Sequence, residues 1–147
     1  MKTKRLTACL LAITLLFSAL SLCACGATQE CEYTSFTKHL ADMDEITACV
    51  YGDQEVYYEL PVDDDLLTLV EGDFEKGSFN GGAKLLSLNI DMQYEICFFE
   101  NGCAMIYYGF CGVFESDRQY YSYTLDNGID DLISHIINTG KITEKEV

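Results

Sequence analysis

The sequence predicts an α+β domain in which helices pack on one face of an antiparallel β-sheet, in the order ββαββ(β)βα. Three observations predict it. Between Leu86 and Phe98 the even positions are apolar from Leu88 onward, while Asn89, Asp91, Gln93 and Glu95 are polar, the period-two signature of a strand with one buried face. Asn101-Gly102 is a strong hairpin pair, and Ile129, Leu132, Ile133, Ile136 and Ile137 recur at helical spacing.

Taken along the chain, Tyr33, Phe36, Leu40 and Met43 have helix-like spacing, with Thr34 or Ser35 as N-cap. Ile46 to Tyr51 and Glu55 to Leu60 are rich in β-branched and aromatic residues and predict a hairpin turning at Gly52-Asp53, ended by Pro61. Asp63-Asp64-Asp65 precedes Leu66, Leu69 and Val70, and Gly72 follows. Acidic side chains cap free N–H groups and oppose the positive end of the helix dipole, so a helix from Asp63 to Glu71 is expected, with Gly72 as a left-handed stop.

Glu75 to Ala83 then reads as a loop. The stretch 85–99 is either one long bent strand or two strands joined near Asp91 to Gln93. A two-residue turn at Asn101-Gly102 would set Glu100 opposite Cys103, Phe98 opposite Met105 and Ile96 opposite Tyr107. After a loop from Gly112 to Arg118, Gln119 to Leu125 forms another strand. The last helix is capped by Asp126 or Asn127 and closed by Gly140.

The chain opens with Lys2, Lys4 and Arg5, then an apolar run from Leu6 to Leu22, then small residues. That layout predicts an export signal over residues 1–24; the run is short for a membrane span of roughly 20 residues. Leu22-Cys23-Ala24-Cys25 resembles the lipobox of bacterial lipoproteins. Cys23 does not suit the modified position, because Leu22 would then stand where a small residue is needed. The resemblance implies a diacylglycerol thioether on Cys25 and cleavage after Ala24. Residues 25–45 would then hold the lipidated cysteine, a short tether and the first helix, and residues 46–147 a single small α+β domain. Buried methylenes contribute about 0.8 kcal/mol each, so two acyl chains anchor stably where one does not.

All 24 acidic residues follow Cys25 and three of the nine basic ones precede it. Six basic against 24 acidic leaves a net charge of −18 after cleavage. Nucleic acid and anionic headgroups want clustered Lys and Arg, so both are disfavoured as partners; solubility accounts for the charge, ahead of a role in binding cations or a basic partner.

The segment from Ile46 to Ile137 resembles the small YhfM-like domain of bacterial lipoproteins. It shares an opening hairpin (Ile46 to Leu60), a helix after an acidic step (Asp63 to Val70), a Tyr-led strand turning at glycine (Tyr94 to Gly102), and a Tyr-x-Leu strand before a closing helix (Tyr123, Leu125, Leu132). The cysteine-rich hairpin departs from that pattern. The resemblance implies a fold and no assigned activity.

Besides Cys25, the mature region carries Cys31, Cys49, Cys97, Cys103 and Cys111, an odd set that leaves at least one thiol unpaired. Small buried hydrophobes and one or two disulfides are both open readings. The two-residue turn puts Cys97 and Cys103 on opposite faces. Cys103 and Cys111 share a face, yet a straight strand separates them by about 26 Å, far beyond the ~7 Å a bridge needs. No paired Cys/His spacing suits zinc. A cysteine nucleophile could draw only on His39 or His135, and His135 sits between core positions of the last helix. The Asp63–Asp65 run and Asp126-Asn127-Gly128-Ile129-Asp130-Asp131 lack the calcium-loop pattern and stand where helices begin, so capping explains them.

Tyr57, Tyr58, Tyr107, Tyr108, Tyr120, Tyr121 and Tyr123 lie in strands, and adjacent pairs point to opposite faces, so some stand outside the main core. Strand propensity accounts for them; exposed tyrosine also suits recognition surfaces. The reading that follows is a lipid-anchored protein at the extracytoplasmic face of the cell membrane. It would be non-enzymatic, need no metal or cofactor, and bind an envelope partner through its sheet. The alternative is a cell-envelope enzyme.

Overall fold

The computed structural model describes residues 32–91, 94–108 and 118–144. The leader, Cys25, Cys31 and Cys111 lie outside the described residues. Helix α1 (Tyr33–Ala41) comes first, followed by strands β1 (Glu45–Tyr51) and β2 (Glu55–Pro61), helix α2 (Asp64–Leu69), and strands β3 (Gly72–Gly77), β4 (Lys84–Ile90), β5 (Tyr94–Phe99), β6 (Cys103–Tyr108) and β7 (Arg118–Leu125). Helix α3 (Ile129–Thr139) and the short β8 (Lys141–Thr143) close the order. The protein is α+β, with one eight-stranded sheet of order β3-β7-β6-β5-β4-β1-β2-β8 in which every pair is antiparallel.

One face of the sheet is the core. Ala48, Leu88, Ile96 and Ile106 form a continuous cross-strand row, and Val50, Leu86, Phe98, Ala104 and Tyr121 form the next. Phe36 and Leu40 of α1, Leu66 of α2, and Leu132 and Ile136 of α3 pack into the same cluster. All three described helices therefore lie on this face, where full burial of each aliphatic side chain contributes about 1.5–3 kcal/mol. Among the described residues, no helix is long and apolar enough to cross a membrane.

Several local expectations change. Residues 84–99 are two strands, parted at Asp91, whose φ of 53° is left-handed. β3 occupies the first part of the stretch read as a loop: as an edge strand with Phe74 its one large apolar side chain, it carries little alternation to read. Thr34 and Ser35 lie inside α1, whose N-cap is Glu32, because the amides of Ser35 and Phe36 both donate to the Glu32 carbonyl.

α3 is capped by Gly128, not Asp126 or Asn127. Asp126 is instead held by a backbone bond from its amide to the carbonyl of Glu71. Ile137 is 50% exposed: it stands about 100° around the helix from buried Ile136, off the seam. Gly72 is no left-handed stop but a close approach, since a Cβ there would lie 2.3 Å from the Thr124 carbonyl oxygen. Gly140 does end α3, in extended conformation.

The most consequential change is the β5–β6 register. Phe98 faces Ala104, Cys97 faces Met105 and Ile96 faces Ile106, one residue away from the two-residue-turn expectation. The connection is three residues, Glu100 to Gly102, with only Gly102 at positive φ (70°) and its amide donating to the Phe99 carbonyl at 3.2 Å. This is the other common hairpin solution, in which a left-handed glycine closes a type I turn. A one-residue slip exchanges the faces of every following side chain. Cys97 and Cys103 consequently share a face instead of opposing one another.

Candidate functional site on the open sheet face

Opposite the helices, the cross-strand register assembles a second surface row by row. The first row runs Glu59, Thr47, Asn89, Glu95, Tyr107, Arg118, and the second runs Tyr57, Cys49, Ser87, Cys97, Met105, Tyr120. Beyond them lie Tyr51, Lys84, Phe99 and Cys103. The second row has three small side chains in succession, Cys49, Ser87 and Cys97, with taller ones on every side. Each small residue is buried although no described helix covers it. The tall neighbours wall a shallow cavity of about 200 Å³, lined by Thr47, Cys49, Tyr51, Tyr57, Ser87, Asn89 and Glu95 together with Ala48.

Glu95 organises one wall. Its carboxylate accepts from the Cys97 thiol at 3.4 Å and from the Tyr107 hydroxyl. On the other side the Tyr57 hydroxyl donates to Glu55 at 2.8 Å, and the Lys84 ammonium stands 5.0 Å from the centre of the Tyr51 ring, a cation–π arrangement. Toward β6 and β7 the small row passes into a drier patch. There Cys97, Phe99 and Cys103 cluster with Met105, Tyr107 and Tyr120, and Phe79 sits edge-on to Phe99 at 5.1 Å.

The protonation states follow from the surroundings. Burial, then the adjacent Glu95 charge, pushes the Cys97 thiol well up, and burial raises Cys49 as well. Burial and the hydrogen bond to Glu95 raise Tyr107. Burial works against the Lys84 charge, but Cys97, Tyr51 and Glu95 outweigh it and hold its pKa above the usual lysine value. The thiols are thus neutral and shielded, the opposite of the electropositive, accessible setting that makes cysteine a nucleophile. Cys49, Cys97 and Cys103 are free.

Both histidines belong to the other side of the sheet. His135 Nε2 of α3 lies 3.5 Å from Asp63 and His39 Nε2 of α1 lies 3.5 Å from Asp91. The sheet stands between them and the buried thiols, so no Cys–His pair is assembled among the described residues. Asp63, one of the residues weighed for calcium, caps α2 by accepting from the Leu66 amide at 2.8 Å. No group of three or more His, Cys, Asp or Glu side chains suited to a metal ion occurs among the described residues.

The strand tyrosines divide between the faces: Tyr58, Tyr108, Tyr121 and Tyr123 belong to the core cluster, and Tyr51, Tyr57, Tyr107 and Tyr120 to the open face. That adjacent tyrosines take opposite faces was readable from alternation; which of Tyr107 and Tyr108 meets the core was not, because the expected register set Tyr107 opposite Ile96, whereas Ile106 stands there. The cavity was not readable either, because it exists only where small residues from β1, β4 and β5 align. No family model, curated protein or solved structure matches the chain.

Proposed function

We propose that this is a lipid-anchored extracytoplasmic protein that is non-enzymatic and binds an envelope component through the open face of its sheet. The observation that carries the binding half is the asymmetry of the sheet: helices cover one face, while the other carries Tyr51 and Tyr57 in the wall of a shallow polar cavity and Tyr107 and Tyr120 beside it. Tyrosine joins a large apolar surface to a polar tip at low entropic cost, which suits it to recognition surfaces. The anchor half rests on the leader and on Leu22-Cys23-Ala24-Cys25, with Cys25 as the acylated residue. Such a protein would belong to the envelope side of the cell membrane, with an envelope protein as a candidate partner and nucleic acid disfavoured by the acidic charge.

Two experiments test the halves separately. Cys25→Ala should abolish labelling by a fatty-acid analogue and release the protein from the membrane fraction; unchanged retention refutes the anchor. Crosslinking from the open face, followed by capture from detergent-solubilised membranes, should recover a partner that is lost in a Tyr57→Asp, Tyr120→Asp double variant. Equal recovery from the variant refutes the binding face.

A further inference from the structure

We propose that the cavity floored by Cys49 and Ser87 binds a neutral pyranose ring, one sugar residue of a larger envelope glycan or of a free saccharide. This deepens the binding reading above and rests on it.

The argument is one of size and complementarity. About 200 Å³ is below the ~300–1,000 Å³ of sites for drug-sized ligands, and suits a single ring rather than a chain of them. The walls are of two kinds: Tyr57 and Tyr51, one ring face of which Lys84 covers, bring aromatic side chains to the space, while Thr47, Ser87, Asn89 and Glu95 line it with hydroxyl, amide and carboxylate groups. A pyranose has the matching division, with axial C–H groups over its faces and hydroxyls around its edge. Charge disfavours the simpler ligands. An anion would meet the Glu95 carboxylate in the lining, and a cation would feel the Lys84 ammonium, which stands beside the cavity over the Tyr51 ring. A neutral hydroxylated ring meets neither repulsion, and it can donate to the lone pairs that Glu95 has left after accepting from Cys97 and Tyr107.

The chain contains ten tyrosines and no tryptophan, so tyrosine emission can report occupancy. The full-length protein, in a detergent without a sugar headgroup, is titrated with glucose, galactose and N-acetylglucosamine, with choline and acetate as charged comparisons. At least one neutral sugar should give a saturable change with a Kd on the order of millimolar, as befits a single small ligand. Ser87→Leu, which fills the floor, should weaken it about tenfold or more, and Ile137→Ser, exposed on α3 across the sheet, should leave it unchanged.

No saturable change with any neutral sugar up to about 50 mM, or tighter binding of choline or acetate, overturns the proposal. If Ser87→Leu does not fold, amide shift mapping of the wild-type protein decides. Sugar-induced shifts centred on Thr47, Cys49, Ser87 and Asn89 support the site, and shifts centred elsewhere overturn it. A partner still captured through the open face by a protein that binds no sugar removes this inference alone. Loss of that capture while sugar binding persists removes only the wider face reading.

Discussion

The helix-covered face and the open face belong to the same strands, yet they are built on different rules. On the covered face Leu86, Leu88, Ile90, Ile96, Phe98 and Ile106 are fully buried among α1, α2 and α3, and their contribution is removal of apolar area from water. On the open face burial falls mostly on small side chains, Cys49, Ser87, Cys97 and Cys103, with Phe99 the one large exception among the described residues; Tyr51, Tyr57, Tyr107 and Lys84 stand around them. A face that buries small groups beneath tall ones leaves a recess, whereas a face that meets helices is filled. The filled face and the recessed face are thereby separated by the thickness of one sheet.

The most direct way to break that comparison is to truncate one large side chain on each face of one hairpin. Phe98 is fully buried, faces Leu86 and Ala104, and meets Tyr123 edge-on at 5.0 Å. Phe98→Ala should cost about 3–5 kcal/mol. Met105, half-buried on the open face opposite Cys97, should cost only about 1 kcal/mol as Met105→Ala, because part of its area is already wet. Urea midpoints of the two variants check this; equal losses would mean that the open face carries a second core.

The margin of the covered face gives a smaller effect. Where the sheet ends at β3, Gly72 lies so close to Thr124 that any Cβ meets backbone, so β3 or β7 must shift to admit one. Gly72→Ala should destabilise by about 2 kcal/mol, in the range of overpacked sites. In an amide exchange measurement the loss of protection should centre on β3 and β7 and spare β1 and β2. A uniform loss would show the sheet yielding as one unit.

What could be read in advance divides along the same line. The alternation from Leu88 to Phe98, the stripe through Leu132 and Ile136, and the acidic cap at Asp63 are each local and periodic. Each corresponds to an observed element on the covered side. β8 has three residues directly after a helix, and β3 is a mostly exposed edge strand, so neither presents a pattern. The β5–β6 register was missed because Asn-Gly serves both two- and three-residue connections, and nothing nearby chooses between them. Since the open face depends on register for every neighbour, that one residue decided whether Cys97 and Cys103 share a side. The cavity needs three aligned strands and was beyond any linear reading.

Between these two larger effects and a purely local one stands the α2 cap. Asp63 accepts from the Leu66 amide and also faces His135, so it ties α2 to α3 above the core. Asp63→Ala should cost about 1 kcal/mol, and Asp63→Asn less, because Asn caps nearly as well. Thermal unfolding at neutral pH measures both, and the open-face tyrosine emission should be unchanged in the folded variants if the two sides are independent.

The smallest effect concerns the open face alone and is read as a slope. Cys97 has an ordinary thiol value near 9 when unfolded and a pKa raised by burial and by Glu95 when folded. A raised folded-state pKa means the folded thiol keeps its proton while the unfolded one ionises. The contribution is therefore complete below the unfolded value and declines as pH rises through 9 toward the folded value. Between about pH 8 and about pH 9.5 this one group should remove somewhat under 1 kcal/mol of stability. Cys49 shifts in the same direction and adds to the slope. Cys97→Ala should flatten the decline by the Cys97 share, whatever the substitution does to stability at pH 7. An unchanged slope would place the thiol in contact with water, and a thiol in contact with water cannot lie beneath the tyrosine wall.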